Sequence, residues 1–580
     1  MGTDRARKQE GAEVPRLPTV CRLVRAIRRY SLLTFILLAY GGLAAAVQVH
    51  CADLLTSDGQ CYLRMAGHWA RGEFRRAIFL NWSPLPALSA VPLVWLGLEP
   101  RVAFRVVLAA AGALVVVGVW RLAARLACCG AEPGTGDKPV GPSRTGLWLR
   151  ALATACAALM AAEFAAGHWV DLLLTALLLL YLEASMDSRL MASWRWALRA
   201  GALAGLAYLA KNYARPFFLV HFPLLVALRT IEARPLRAAL VKRAFATWAA
   251  GMAGFALLAL PWAAVLSARF GRVTFGTSVG QAYAKLGAFG GDARERAIAG
   301  LRKPPDDAPN VWQDSSLPPP PAPGLVAALA AGGWHAVLEQ ARATGRNVGE
   351  ILGKLFEMDP LRIGAASLAF VALAAATARP GEARSRYRML ALALAVFCGG
   401  YALVYAAEER YFWLAFFVAA AAAFHLAGLL PRLLGRSRRG RLAAAALAFL
   451  TALSFGGRST GFLAELFRHP PPGREHRLAA AWLRANGLGG PLAAAGERAW
   501  WNGLHTSFFL DAKYAGTPAT RVPADIVAEM RATGATALLV WRDPSLAMSL
   551  REQPDLVPVG YLSPGALGTP RAEAWAFRLP

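Results

Sequence analysis

The sequence predicts an all-α polytopic membrane protein that carries a small C-terminal α/β domain. Three observations predict it. The 580-residue chain is 56% hydrophobic with a mean hydropathy of +0.38, too apolar for two or three soluble domains of that length. Runs such as SLLTFILLAYGGLAAAVQV (31–49) and ATWAAGMAGFALLALPWAAVL (246–266) reach the ~20 apolar residues that cross a bilayer. Beyond position 457 the pattern changes to short amphipathic helices and an apolar strand. No backbone N–H or C=O can go unpaired in lipid, so the apolar runs must be helices.

Residues 1–30 carry eight Lys or Arg. This basic head before a full-length first span reads as a signal anchor, with the amino terminus cytosolic and no cleavable signal peptide. Span 31–49 then delivers Asp53 and Asp58 to the outer face. The next apolar piece, SPLPALSAVPLVWLG (83–97), holds three prolines; fifteen helical residues rise only about 22 Å, short of the ~30 Å core. Residues 50–100 therefore read as one outer loop with two surface helices, 58–71 and 84–96. The remaining spans are 101–121, 148–166, 170–185, 197–211, 215–230, 245–267, 361–378, 388–406, 411–430 and 441–457, about eleven crossings in all. The loops assigned to the inside each hold Arg or Lys, PRLLGRSRRGR (431–441) most clearly, as the positive-inside rule requires.

Two outer segments are large. Residues 268–360 include the Pro-rich WQDSSLPPPPAPG (312–324) and are expected to form a loop without a core of its own. Residues 458–580 read as a small soluble domain expected to cover the outer pocket. REHRLAAAWLRANG (474–487) and ADIVAEMRATG (524–534) have helical period and end on glycine, and ATALLVW (535–541) is a short strand.

The net charge of +27 would suggest nucleic acid in a soluble protein. Here the arginines lie between apolar runs, so they report topology and contact with anionic membrane lipids, and no nucleic-acid partner is expected. The seven cysteines form no CxxC pair. Cys51 and Cys61 fall on the expected outer face, where a disulfide and two unpaired thiols are both open.

Several polar groups interrupt the apolar pattern. Asp58 in SDGQCYLRMAGHWARGEF (57–74) is a helix cap on one reading and a general base on the other. Asp171 opens the Leu-rich span GHWVDLLLTALLLLYLE (167–183) on the same side; the helix dipole alone would favour it there. Lys211 and Arg215 in AYLAKNYARPFFL (207–219) sit at a helix break, either snorkelling to headgroups or gripping a phosphate. Glu408, Glu409 and Arg410 in YAAEERYFWLAFF (405–417) form an interfacial ion pair or another wall of the same cavity. His68 and His168, both in GHW, are structural or could join Asp58 and Asp171 on a divalent metal. No Rossmann or P-loop signature is present, which argues against nucleotide hydrolysis.

Taken in order, these pieces resemble the GT-C superfamily of integral-membrane glycosyltransferases, in its family 39-like branch with protein O-mannosyltransferases and lipid A aminoarabinose transferases. The resemblance rests on Asp58, Tyr62, Ala66 and Gly72, then NWSPLPAL (81–88), Asp171, GLAYLAKNYARP (205–216), LPW (260–262), and Glu408, Arg410 and Tyr411. It covers residues 30–430. The acid pair DE of that branch is DG here, and its KP is Ser83–Pro84.

The resemblance implies a glycosyltransferase that moves a sugar from a polyprenyl-phosphate donor to a lipid, protein or glycan acceptor on the outer face, with inversion. Asp58 would be catalytic. Asp171, Tyr62, Glu408 and Glu409 would position donor and acceptor. Lys211, Arg215 and Arg410 would bind the phosphate. No cofactor is required beyond an optional divalent metal on Asp58, Asp171 and His168. The competing reading is a transporter or lipid flippase. Against it stand the lack of inverted repeats and the placing of charges at helix ends rather than mid-span.

Overall fold

Each of the eleven apolar runs forms a helix in the computed structural model, which describes residues 19–127, 144–233, 235, 237–278, 300–304, 325–377, 382–405, 408–434, 437–568 and 572–580. The helices are α1 (Thr19–His50), α2 (Ser57–Ala70), α3 (Leu85–Trp95), α4 (Pro100–Ala127), α5 (Arg144–Phe164), α6 (Asp171–Ser185), α7 (Trp194–Ala210), α8 (Ala214–Glu232) and α9 (Ala238–Phe270). There follow α10 (Leu325–Met358), α11 (Ile363–Thr377), α12 (Glu382–Val404), α13 (Trp413–Leu433), α14 (Arg438–Thr451) and α15 (Arg458–Arg468).

Among the described residues, eight helical stretches are long and apolar enough to cross a membrane, by length and composition. The sequence count of eleven exceeds this by α6, α7 and α11, which have 15, 17 and 15 residues. At 1.5 Å per residue they rise about 22–26 Å. The shortest can stay short because its neighbours, not lipid, surround it: α6 is buried along nearly its whole length. This is a multi-pass membrane protein, and the two short surface helices expected near 58–71 and 84–96 are α2 and α3.

Small residues set how closely the bundle packs. A Cβ added to Gly201 of α7 would lie 1.9 Å from the Gly251 carbonyl oxygen of α9, and one on Gly254 would lie 2.2 Å from the Leu198 oxygen. Backbone approaches backbone there, the usual device for helix pairs in lipid. Arg105, buried in α4, donates to the Gln48 side chain at 2.7 Å and to the Leu54 carbonyl at 2.8 Å, and also to the Cys51 carbonyl. It thereby ties the end of α1 to the turn that launches α2. Cys51 and Cys61 are both buried, and no disulfide joins them across that turn.

One helix is irregular. Between α14 and α15 the chain makes a π-helical turn, Ala452–Gly457, and continues as a helix to Arg468. Ser454 in that turn donates to Asp359 at 2.6 Å, while Asp359 accepts from the Gly364 and Ala365 N–H groups that open α11. Arg458, just beyond the turn, pairs with buried Glu163 of α5. Within the segment expected to be a coreless loop, residues 325–358 are instead the long helix α10, kinked at Gly333. The Pro-rich 312–324, the basic head 1–18, and Cys128 and Cys129 lie outside the described residues.

The C-terminal part is a five-stranded sheet in the order β2-β1-β3-β5-β4. Its strands are β1 (Leu492–Gly496), β2 (Tyr514–Gly516), β3 (Ala537–Trp541), β4 (Val557–Leu562) and β5 (Ala574–Arg578). β1 runs parallel to β2 and β3, and β5 is antiparallel to β3 and β4. Helices α16 (Arg474–Ala485) and α17 (Ala499–Leu510) pack on one face. Helices α18 (Pro523–Thr533) and α19 (Pro544–Arg551) pack on the other.

This domain is held to the helical bundle at named points. Arg477 contacts Asp53 at 2.8 Å and Arg64 contacts Asp511 at 3.1 Å. Phe508 and Phe509 enter the cluster around α2, α3 and α4. A piece of the 268–360 segment adds to the sheet edge, where the Arg302 N–H donates to the Ala515 carbonyl of β2 at 2.8 Å.

Candidate active site

The α2 helix begins with a cap that the sequence reading did not name. Thr56, not Ser57 or Asp58, is the N-cap, and its hydroxyl accepts from the Gly59 N–H at 2.9 Å. The Asp58 carboxylate is thereby free for tertiary contacts. Gly59 has its own reason: a Cβ there would lie 2.4 Å from the His168 Cβ and 2.7 Å from the Thr56 hydroxyl. The close approach of α2 to the loop before α6 excludes any larger residue, which accounts for DG at this point.

Arg410 is the hub. It sits in a 3-10 turn, Glu409–Phe412, that leads into α13. One terminal nitrogen lies 2.7 Å from Asp58 Oδ2 and 3.8 Å from Asp171 Oδ2, and Nε lies 2.6 Å from Glu408. Its guanidinium is stacked 3.8 Å over the Trp169 ring. Lys211, the residue at which α7 stops, bonds Asp171 and stands 4.4 Å over the Tyr411 ring. Two acids, two cations and Glu408, drawn from four remote segments, thus share one polar cluster.

Burial grades the members. The Asp171 side chain is 2% exposed, Arg410 11%, Lys211 22%, Asp58 25% and Glu408 37%. Asp171 is at the bottom and Asp58 and Glu408 at the mouth. Asp171 Oδ2 has no hydrogen-bond partner among the described residues. Tyr62 packs edge-on against Trp82 and stacked on Phe104. Burial, reinforced by the Asp58 and Asp171 charges, holds its phenol well above the ordinary value, so it stays protonated.

Other expected members lie elsewhere. Glu409, next to Glu408, turns away and faces Arg458 at 3.5 Å. Adjacent residues in a tight turn point in different directions, so only one of the two acids can serve this cluster. Arg215 is stacked 5.1 Å over the Phe275 ring and makes no carboxylate contact among the described residues. His168 is fully buried, stacks on Phe104, and neither ring nitrogen has a hydrogen-bond partner among the described residues; burial keeps its imidazole well below the usual value. His68 pairs with Glu73 at 2.5 Å. Burial lowers the His68 imidazole, while the Arg71 and His68 hydrogen bonds hold Glu73 down at about 2. Among the described residues no three His, Cys, Asp or Glu side chains group so as to hold a metal.

Sequence reasoning gave part of the wall no role: Tyr411 entered only through the resemblance, and Trp169 and Tyr401 were not singled out. Trp169 and Tyr411 supply the ring faces beneath Arg410 and Lys211, and Tyr401 stacks on Tyr411 at 4.9 Å. A second polar set adjoins Lys211. Thr277 bonds Asn81, Ser83 donates to the Tyr208 carbonyl at 3.3 Å, and the buried Asn212 amide has no partner among the described residues. The NWSP and AKNY segments are thus knitted together by the stretch 274–277. Its only sequence signal was polar residues recurring at the ends of apolar runs.

No family model matches the chain, and no curated protein matches it. Among solved structures, it is similar to ArnT from Cupriavidus metallidurans bound to undecaprenyl phosphate, at 17% identity and a TM-score of 0.43, over 93% of this chain and 97% of that one. It is also similar to the apo state of that protein, at 17% identity and a TM-score of 0.42, over 94% of this chain and 98% of that one.

Proposed function

We propose that the protein is a glycosyltransferase that moves a sugar, with inversion, from a polyprenyl-phosphate donor to an acceptor hydroxyl on the outer face of a bacterial inner membrane. In this reading the amino terminus is cytosolic and the C-terminal domain is periplasmic. The observation that carries the proposal is the convergence on Arg410 of Asp58 and Asp171, with Lys211 bonded to the second acid.

The cluster suits displacement at an anomeric carbon. Asp58, at the mouth, accepts the acceptor proton as the acceptor oxygen attacks. The bond from the anomeric carbon to the phosphate oxygen breaks, and its electron pair leaves with the lipid phosphate. Arg410 and Lys211 stabilise that growing charge from a partly buried site, where electrostatic terms are stronger than in water. Asp171 holds both cations in place before the donor arrives. Tyr62, kept protonated, orients donor or acceptor as a hydrogen-bond donor.

The reading is metal-independent. His168 faces Phe104 rather than the two acids, and each acid already faces a cation. No step is routed through a metal.

The test is transfer from a panel of radiolabelled polyprenyl-phosphate sugars by purified protein in nanodiscs, comparing the wild type with Asp58→Asn. Transfer lost on a folded variant supports the assignment. Lipid or substrate translocation without transfer would favour a transporter instead.

A further inference from the structure

We propose that Asn212 determines donor specificity: its side-chain amide binds two adjacent hydroxyls of the donor sugar, which is therefore an uncharged polyhydroxylated sugar and not an amino sugar. The inference rests on the glycosyl-transfer reading above and names the sugar class for the same site.

Asn212 stands where α7 gives way to α8. α7 stops at Ala210, Lys211 is extended at φ −155° and ψ 129°, and α8 starts at Ala214. An asparagine near a helix start commonly caps it, its side chain accepting a backbone N–H. Here α8 has Tyr213 as its N-cap and no side-chain cap. The backbone closes the break by itself: the Lys211 carbonyl accepts from the Ala214 N–H at 3.0 Å, and the Asn212 carbonyl from the Arg215 N–H at 3.1 Å. The Asn212 side chain is left over. The residue is 5% exposed, yet neither its Oδ1 nor its Nδ2 has a hydrogen-bond partner among the described residues. Buried amides are almost always paired, and an unpaired one is costly.

The amide borders the catalytic cluster on two sides. The residue before it, Lys211, bonds Asp171. The stretch it faces is 274–277: a Cβ on Gly276, which has φ +101°, would lie 2.9 Å from Asn212 Nδ2 and 3.0 Å from the Leu80 carbonyl oxygen. Only glycine lets the chain pass so near. Thr277, the next residue, bonds Asn81, and Trp82 after that packs edge-on against Tyr62.

The atoms of the amide select the ligand. It presents an acceptor and a pair of donor hydrogens side by side. The oxygens of a phosphate dianion only accept, so they would strand Oδ1. An ammonium only donates, so it would strand Nδ2. A hydroxyl does both, and two neighbouring ring hydroxyls satisfy both ends. Charge points the same way. Arg215 lies 5.1 Å over the ring of Phe275, the residue before Gly276, and makes no carboxylate contact among the described residues, while Asp171 is taken by Lys211. An ammonium here would meet a cation and no free acid.

The test uses full-length protein in nanodiscs with polyprenyl-phosphate donors carrying glucose, mannose, arabinose and 4-amino-4-deoxyarabinose, and with the 2-, 3- and 4-deoxy forms of the best-used neutral sugar. The wild type should use arabinose at least tenfold better than its amino counterpart. Removing either of two adjacent hydroxyls should lower its kcat/KM at least about fivefold, the worth of one neutral hydrogen bond. In Asn212→Leu the same deletions should cost less than twofold, while polyprenyl phosphate, which has no sugar, binds as to the wild type by native mass spectrometry. Isosteric Asn212→Asp, an acceptor only, should shift preference at least tenfold towards the amino sugar, and decides the matter if the leucine variant does not fold. A wild type that favours the amino sugar, or is indifferent to every hydroxyl, would overturn the assignment. So would an unchanged hydroxyl dependence in Asn212→Leu, the sign of an amide that merely holds a water, or a loss of polyprenyl phosphate binding there. Transfer from none of the donors by the wild type would instead sink the glycosyl-transfer reading, and this inference with it.

Discussion

Replacing Asp58 by asparagine should move catalysis and donor binding in opposite directions. The carboxylate is both the proposed base and one of the anions that occupy Arg410, at 2.7 Å. Loss of a positioned base lowers turnover by about 10²–10⁴. Arg410 keeps Glu408 at 2.6 Å and Asp171 at 3.8 Å, so it stays in place while losing a competitor for the incoming phosphate. Asp58 is a quarter exposed, and a pair of that kind is worth about 1 kcal/mol or less, which converts to roughly fivefold in affinity. A polyprenyl phosphate should therefore bind up to about fivefold tighter to Asp58→Asn, while transfer falls at least a hundredfold. Native mass spectrometry of the lipid-loaded protein and single-turnover transfer measure the two sides. A variant whose lipid affinity drops tenfold, or whose turnover stays within fivefold of the wild type, would refute the reasoning.

The neighbouring glutamates should separate. Glu408→Gln loosens Arg410 and should lower kcat about tenfold, whereas Glu409→Gln, which faces Arg458, should leave kcat within threefold; transfer kinetics on both variants check this. Gly59→Ala forces a methyl to within 2.4 Å of the His168 Cβ. Overpacking of that sort costs about 1–3 kcal/mol, so the melting temperature should fall, and the displaced Asp58 should lower kcat at least tenfold. Burial keeps His505 and His476 of the terminal domain, like His168, below the ordinary histidine value. The unfolded chain, titrating near about 6.5, then binds protons before the folded one does. Their stabilisation is complete above that pH and is lost as the pH falls below it. The melting temperature should drop between pH 7.5 and pH 5, and His505→Gln should flatten the slope in a thermal-shift series.

Much of this arrangement could be read from residue order. Apolar runs fix helices because lipid leaves the backbone no other choice, and the short proline-bearing run at 83–97 reads as the surface helix α3 for the same reason of length. Asp58, Asp171, Lys211 and Arg410 announce themselves because charges at the ends of apolar helices are costly. What remained hidden depends on how each helix is rotated about its axis. That rotation sends Glu408 to the cluster and Glu409 to Arg458, and lays Arg215 on Phe275. It also decides that Thr56 takes the cap and releases Asp58. Arg498 and Arg542, which follow β1 and β3 at φ +48° and φ +49°, left no trace in the sequence, since the residue type argues against the conformation it adopts. Residues 325–358 were misjudged because the proline tract beside them dominated the composition of the segment.

The wide turn at Ala452–Gly457 fixes the angular phase of everything that follows it. A π turn accommodates one residue more than a regular turn does, and each residue rotates a helix by about 100°. Excising a single residue there would leave the flanks in phase, but winding the same residues as a regular helix would swing Arg458 off Glu163, which is 5% exposed and has no other cation within ion-pair distance among the described residues. The more regular helix would then belong to the less stable protein, with an isolated acid stranded inside the bundle.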